Sequence, residues 1–389
     1  MDPKDFQPSP AGKVRRIPGP AHYWAFFPAP VPRDLKLSAP LVLKLSAADQ
    51  ALGRLLGVGQ ILPNPHLVSS AYRLREAVSS LAIEGTQTSL SDVFSSEAAD
   101  VTKTSEIREV RNYIRAFDSG ISRLATLPLS LRLVRELHEI LLVGVAGPDK
   151  TPGEFRTSQN WIGREGTGID DSAFVPPPPD FMKEALDDWE RYLHDDRPKL
   201  PALVRSALIH YQFETIHPFL DGNGRLGRLL ITFYLVERGV LAEPLLYVSP
   251  YLEARRSAYY DHLQRVRQRG DFEGWISFFL DAVTSQALDA VRRAERLLEI
   301  VAMYRERLRK ARVRGGAVEL AEALIANPYV TTPRAMKLLD VSYQGAAYSI
   351  QRLLDAGVVR DAGTQGTAKL YLASEVLETL EAPEAPPPA

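Results

Sequence analysis

Cysteine is absent from this chain of 389 residues. That excludes disulfide frameworks, Cys-ligated zinc, iron–sulfur clusters and thiol catalysis together, and it fits a reducing compartment. Charge of one sign is lacking as well: 47 basic side chains against 48 acidic ones leave a net charge of −1. No global field draws such a chain onto nucleic acid or an anionic membrane, so any binding of that kind needs a local patch. No uninterrupted apolar stretch reaches the roughly 20 residues that span a bilayer. Met1 to Arg16, rich in proline and lysine, holds no apolar run of the kind a secretory signal needs. These absences predict a soluble cytoplasmic protein with no membrane partner. The remaining composition, 45% apolar and 24% charged, is ordinary for a globular protein and excludes a disordered chain or a fibrous rod. The length predicts two or three folding units.

The pattern along the chain is helical almost throughout. A proline-rich arm with Tyr23, Trp24, Phe26 and Phe27 occupies residues 1–40 and reads as extended but adhesive. Apolar residues recurring at three and four predict helices over 43–62, 67–84 (capped by Gly85), 104–117, 129–142, 181–193, 203–214, 225–238, 255–267 and 272–284. A basic surface helix is predicted over 290–314. One β-hairpin interrupts this series, with strands at 154–162 and 173–175 and a turn at 163–168. After Gly315-Gly316, three short helices (317–326, 332–339, 343–356) and a two-stranded wing (358–360, 369–372) describe a winged helix. The expected organisation is an arm and helical region at 1–100, a core at 101–290, a linker helix at 291–314, a winged helix at 315–380 and a disordered tail at 381–389.

Residues 216–228, Ile-His-Pro-Phe-Leu-Asp-Gly-Asn-Gly-Arg-Leu-Gly-Arg, carry the chemistry. Gly222 and Gly224 let successive backbone N–H groups converge, and the helix that follows adds the positive end of its dipole, which together make an anion cradle suited to phosphate. Arg225 and Arg228 lie three apart on one helix face and can hold further phosphate oxygens. Asp221 beside them is a hard oxygen ligand of the type that holds Mg²⁺ next to bound phosphates. His217, ordinarily titrating near 6.5, can accept a hydroxyl proton at neutral pH. The same segment contains a literal G-x-G-x-x-G (222–227), with Glu243 near the acidic offset of a dinucleotide fold. That fold requires a preceding buried strand, whereas 203–214 has helical spacing and no βαβ alternation flanks it. A plain polar loop with a capped helix is the other alternative, and it gives no reason for His217, Asp221 and Asn223 to occur together.

This segment resembles the Fic family motif, H-P-F-x-[D/E]-G-N-G-R-x-x-R, at every defined position, and the likeness extends from the arm to about residue 290. The resemblance implies a mainly α fold: a Fic-type helical bundle with a β-hairpin flap, followed here by a C-terminal winged helix. It implies a protein adenylyltransferase that moves AMP from ATP, with Mg²⁺, to a Ser, Thr or Tyr hydroxyl of a protein, the chain itself included. His217 would be the base and Asp221 the metal ligand. The span Gly222, Asn223, Gly224, Arg225, Leu226, Gly227 and Arg228 would hold ATP, with Arg228 nearest the γ-phosphate and Phe219 as a core anchor. The hairpin would be the family's flap, which binds an extended target segment by strand addition, with Gln159, Asn160, Trp161, Ile162 and Gly163 nearest substrate. Tyr259, ahead of its neighbour Tyr260, would touch the adenine.

Ser80-Leu81-Ala82-Ile83-Glu84-Gly85 is similar to the family's inhibitory pattern [S/T]-x-x-x-E-[G/N]. Ser80 and Glu84, four apart, share one helix face, and the resemblance implies that Glu84 pairs with Arg228 in place of the γ-phosphate. The alternative is an ordinary solvated glutamate. In the winged helix the reading helix offers only Arg352 as a base, which disfavours DNA and suits protein contacts or homodimerisation. A nucleotide-sensing DNA-binding regulator and removal of AMP by the same site are the rival functions.

Overall fold

The computed structural model describes all residues except 19–21, 62–64, 103, 146, 164–165, 198 and 385–389. Residues 62–64, where Pro63 separates the helices predicted at 43–62 and 67–84, part of the hairpin turn at 163–168 and most of the predicted tail lie outside the described residues. The described chain is mostly helical. In order it contains strands β1 (Gly12–Ile17) and β2 (Tyr23–Pro28), then helices α1 (Ala39–Ile61), α2 (Pro65–Ile83), α3 (Leu90–Ala98), α4 (Ser105–Leu124), α5 (Leu131–Leu142), α6 (Pro179–Leu193), α7 (Ala202–Ile216), α8 (Asn223–Glu237), α9 (Ser249–Ala254), α10 (Arg256–Arg269) and α11 (Phe272–Lys310). There follow α12 (Gly316–Ala323), β3 (Tyr329–Val330), α13 (Thr332–Leu339), α14 (Tyr343–Asp355), β4 (Arg360–Gln365), β5 (Ala368–Leu372) and α15 (Ser374–Glu381).

The chain divides into two compact units. The first comprises Met1–Gln50, Asn112–Ala242 and Tyr251–Thr284. Its centre is α7, in which every residue from Leu203 to Ile216 is buried, including Arg205, His210, Gln212 and Glu214; a helix buried on all sides lies in the middle of a core. Trp189 and Trp275, both fully buried, donate their indole N–H groups to the Ile209 and Ala207 carbonyls, so each large ring enters the core with its polar atom satisfied. Helix α8 packs on α7 through Gly227, where a Cβ would stand 2.3 Å from Glu214 Oε1. The N-terminal arm differs from the extended segment expected: β1 and β2 form an antiparallel hairpin in which Gly12 faces Pro28 and Ile17 faces Tyr23. Ala25, Phe26 and Phe27 are all buried, so both faces of β2 are covered there, and the Phe26 N–H donates to the Val175 carbonyl.

The predicted hairpin over 154–175 is present in reduced form. Among the described residues only Ile162 and Phe174 pair, as a single antiparallel bridge from which no ladder extends. The reason is competition: the Arg156 and Gln159 side chains occupy the Ser158, Asn160, Pro176 and Pro177 carbonyls, and Pro176–Pro179 supply no N–H groups.

The second unit comprises Ala51–Arg111, Glu243–Pro250 and Ser285–Ala389. Its C-terminal part is the expected winged helix, with three helices and a sheet of order β3-β5-β4. Three local expectations change. The helices predicted at 272–284 and 290–314 are one, since no breaker separates them and Leu297, Ile300, Tyr304 and Leu308 continue a buried stripe at helical spacing. Short helix α3 went unpredicted although Ser89 and Asp92 form a capping box at its start. Helix α15 occupies 374–381, where a winged-helix end and a tail were expected. Helix α3 packs on β3: Asn327 Nδ2 donates to the Phe94 carbonyl at 3.1 Å and Thr331 Oγ1 to the Ala98 carbonyl at 2.9 Å. Buried Asp289 pairs with both Arg75 of α2 and Arg293 of α11, and Arg293 donates on to the Ala382 carbonyl beyond α15.

Candidate functional site

Helix α7 ends at Ile216 because His217 turns into the left-handed region, φ +50°, while its N–H still reaches the Phe213 carbonyl. A non-glycine residue in that conformation is held there by its surroundings. Five residues later Gly222, φ +76°, opens α8. The loop between is closed by Asn223, whose Oδ1 accepts from the Phe219 N–H at 2.9 Å and whose Nδ2 donates to the Phe219 carbonyl at 2.8 Å. The Asn223 side chain is thus committed to the turn; what it and Gly224 present to a ligand is the first turn of α8, whose N–H groups have no carbonyl within the helix. Phe219 is fully buried and lies flat on the His138 ring, 3.7 Å between centroids, which confirms it as an anchor.

His138, buried on α5, fixes the far side of the loop. The Gly153 N–H donates to its Nδ1 at 2.9 Å, so its proton is on Nε2, and Nε2 donates to the Asp221 carbonyl at 3.0 Å. Asp221 Oδ1 accepts from the Gly222 N–H at 2.6 Å and from Arg225 at 2.9 Å, with the carboxylate partly exposed. No cluster of three or more His, Asp or Glu side chains able to hold a metal occurs among the described residues. A lone accessible carboxylate beside an anion cradle fits Mg²⁺ held mainly by phosphates, and Asp221 meets that description.

The His217 imidazole is half-buried and its Nδ1 has no hydrogen-bond partner among the described residues. Burial, and then the charges of Arg267 and Arg156, push its pKa down to about 3; the Glu214 carbonyl and Asp221 offset part of this. The ring is therefore neutral at physiological pH and able to accept a proton.

Of the residues expected to hold ATP, Leu226 and Gly227 serve the α7–α8 packing instead: Leu226 is fully buried and Gly227 lies against Glu214. Arg225 and Arg228 are 5% and 2% exposed, so their charge sits behind the cradle more than at its surface. Tyr259, 1% exposed, is hydrogen bonded by His210 and Arg228, whereas Tyr260 next to it is 42% exposed. His210 is pinned in turn, its Nδ1–H on the Gly227 carbonyl and its Nε2 accepting from the Tyr259 hydroxyl.

Among the flap residues, Asn160 reaches the loop, its Nδ2 donating to the Phe219 carbonyl at 2.8 Å and the His217 carbonyl at 3.3 Å. Gln159 bonds within the flap and accepts from the Tyr23 hydroxyl. Trp161 is 43% exposed with its N–H on the Thr167 carbonyl, Ile162 forms the bridge to Phe174, and Gly163 is exposed. Ser80 and Glu84 belong to the other unit, Ser80 buried within α2 and Glu84 exposed just past its end.

Sequence reasoning missed Arg156, Arg267 and His138. His138 had a signal, an imidazole on the apolar Leu133, Val134, Leu137, Leu141 stripe of α5. The arginines had none, because the carbonyls they serve are invisible in a residue pattern.

Residues 128–235 match the model of the Fic/DOC family and residues 42–122 that of the Fic/DOC family N-terminal region. Protein adenylyltransferase Fic of Aedes aegypti is 30% identical over 217 residues, covering 54% of this chain and 40% of that protein. The Drosophila grimshawi protein of the same name is 30% identical over 169 residues, covering 43% of this chain and 31% of that protein. The chain thus matches less than half the length of these relatives. The crystal structure of a Fic family protein from Desulfovibrio desulfuricans G20 shares the fold, with a TM-score of 0.57 at 23% identity over 87% of this chain and 97% of that one. No helix among the described residues is long and apolar enough to cross a membrane.

Proposed function

Because the chain is a Fic family protein, we propose that the 217–228 loop transfers AMP from ATP to a hydroxyl group of a protein. The observation that carries this reading is a neutral imidazole, held in a left-handed turn, at the mouth of a glycine loop that opens onto a helix N-terminus. In the reaction the oxygen of a Ser, Thr or Tyr side chain bonds to the α-phosphorus of ATP, the bond from that phosphorus to the β-phosphate breaks, and pyrophosphate leaves. His217 takes the hydroxyl proton. The amide groups at the start of α8 orient the phosphates, and Arg225 and Arg228 supply positive charge behind them. Asp221 would hold Mg²⁺, which when bound neutralises phosphate charge. Positioning and electrostatics then provide most of the rate, as in phosphoryl transfer generally. Residues 159–163 of the flap would bind an extended target segment. On α10, Tyr260 is 42% exposed with Arg256 over its ring, and it is the member of the tyrosine pair that an adenine could reach, Tyr259 being buried against Arg228.

Glu84 would restrain this activity by pairing with Arg228 in place of the γ-phosphate, a reading supported by the Ser80–Gly85 motif. The winged helix favours protein contacts over DNA: Tyr343 and Tyr348 of α14 are 59% and 67% exposed, and its one base, Arg352, donates to the Ala311 carbonyl. The test is incubation of the Glu84→Gly chain with ATP labelled at the α- or the γ-phosphate. Label retained from the α-position alone is expected; retention from the γ-position would mean phosphoryl transfer and would exclude the proposal.

A further inference from the structure

Arg156 is buried to 1% exposure, and no carboxylate among the described residues pairs with it. Every donor it uses goes to a main-chain carbonyl. Nε donates to His217 at 2.9 Å, Nη1 to Ser158 at 3.1 Å, and Nη2 to Pro177 at 2.6 Å and, weakly, to Ile216 at 3.5 Å. Its own N–H donates to the Pro218 carbonyl at 2.9 Å. A buried guanidinium without a counter-ion carries a large desolvation cost, which lowers its pKa to about 10. A purely structural need at this place could be met by a neutral donor, so the charge and the fork together call for an explanation.

The two ends of the fork reach different things. His217 and Ile216 belong to the base and the turn that aims it; Ser158 and Pro177 are the two feet of the flap. Arg267 repeats the arrangement from α10: its Nη2 donates to the Glu214 carbonyl and its Nε to Thr215 Oγ1, both at 3.1 Å, while its guanidinium lies 4.0 Å from the ring of Phe174 in the flap's bridge. From two sides, then, a buried arginine ties the residues around His217 to the flap.

We propose that Arg156, backed by Arg267, is a positioning residue for the transfer reaction: it locks the His217 turn and both feet of the flap into one body, so that a hydroxyl presented by the flap meets the base at a fixed place. Burial is the main reason the neighbouring imidazole stays neutral, and the charges of Arg267 and then Arg156 push its pKa further down. The charged and titratable groups acting on that ring are Arg156 of the flap, Arg267 of α10 and Asp221 of the loop, with the Glu214 carbonyl of α7. This inference rests on His217 being the base.

The experiment separates charge from fork in the full-length chain. Titration of histidine-labelled protein by NMR, with the His217 signal assigned by its loss in His217→Ala, does not depend on any transfer activity. Arg156→Met is expected to raise the His217 midpoint by about one unit or more, and Arg156→Lys, which keeps the charge, to leave it low. In the Glu84→Gly background, Arg156→Lys should reduce the turnover of AMP incorporation by about a hundredfold with the Mg-ATP KM unchanged, because the cradle does not involve Arg156. A generally loosened protein would instead raise that KM. Wild-type turnover in Arg156→Lys, or an unmoved His217 midpoint in Arg156→Met, overturns the proposal. If the Glu84→Gly parent incorporates no AMP, the adenylyl-transfer reading fails while the titration still decides this one. Should neither variant fold, the guanidinium N–H signals of the wild type decide: slow hydrogen exchange is expected, and exchange as fast as that of exposed arginines contradicts the inference.

Discussion

The 217–228 loop and the 80–98 segment are held in opposite ways. Every bond that shapes the loop comes from the same unit and from nearby layers: Asn223 closes it, His138 and Arg156 grip its carbonyls, and Phe219 is sealed into the core. Apart from the local Ser89–Asp92 capping box, the 80–98 segment and the helix leading into it are tied to groups far away in sequence. Asn327 and Thr331 of the winged helix take the α3 carbonyls, and Asp289 ties Arg75 of α2 to Arg293 and the end of α15. The loop proposed to position the reacting groups is thus built of short, redundant contacts, while α2, which ends just before Glu84, is tied to the C-terminal module.

Substitutions can break or sharpen that contrast. The largest effect is expected for His217→Ala in the Glu84→Gly background: AMP incorporation should drop by about 10²–10⁴-fold while the melting temperature barely moves, and a fall in both together would mean the ring is structural. Glu84→Gly alone should raise self-modification with labelled ATP, and equal incorporation by the two chains would end the idea of a brake.

Acid should act on the first unit before the second. His138, His210 and His217 have pKa values pushed down to about 4, 3 and 3 by burial. The unfolded chain gains these protons near pH 6.5, and the folded one only near pH 3–4. Stability is therefore lost as pH falls through 6.5, with proton uptake on unfolding approaching about three near pH 5. Denaturant unfolding across that range measures it; a flat profile between pH 7 and 5 would contradict the neutral buried rings.

Smaller effects should separate the two regions. Asn223→Leu removes both loop-closing bonds and leaves the buried Phe219 N–H unpaired while its carbonyl keeps Asn160, a cost of about 1–3 kcal/mol, with loss of transfer. Asn327→Leu should cost about 1–3 kcal/mol through the Phe94 carbonyl yet leave the His217 titration untouched, as an NMR titration of the variant would show.

The motif-bearing parts of the molecule were legible in the sequence and the parts made by cross-chain contacts were not. Residues 216–228 carry a turn and a helix start that are legible in the sequence because glycine and asparagine act there through local geometry. The bounds of α7 and α8 followed from the same run of residues. The flap falls short of the expected hairpin: 154–162 reads as a short strand, but side chains from the segment itself consume the carbonyls that a ladder would use. The β1–β2 hairpin was hidden because its pairing depends on Ala25, Phe26 and Phe27 finding the core, which composition cannot indicate. Leu226, Gly227 and Tyr259 were read as ligand contacts and are buried, since a motif fixes which residues occur together and leaves open which of them face outward.

The most direct measurement is the intact mass of the Glu84→Gly chain after incubation with Mg-ATP, beside the Glu84→Gly/His217→Ala chain treated identically. The account predicts a gain of one AMP in the first and none in the second. An unchanged mass in both, or the same gain in both, would contradict it.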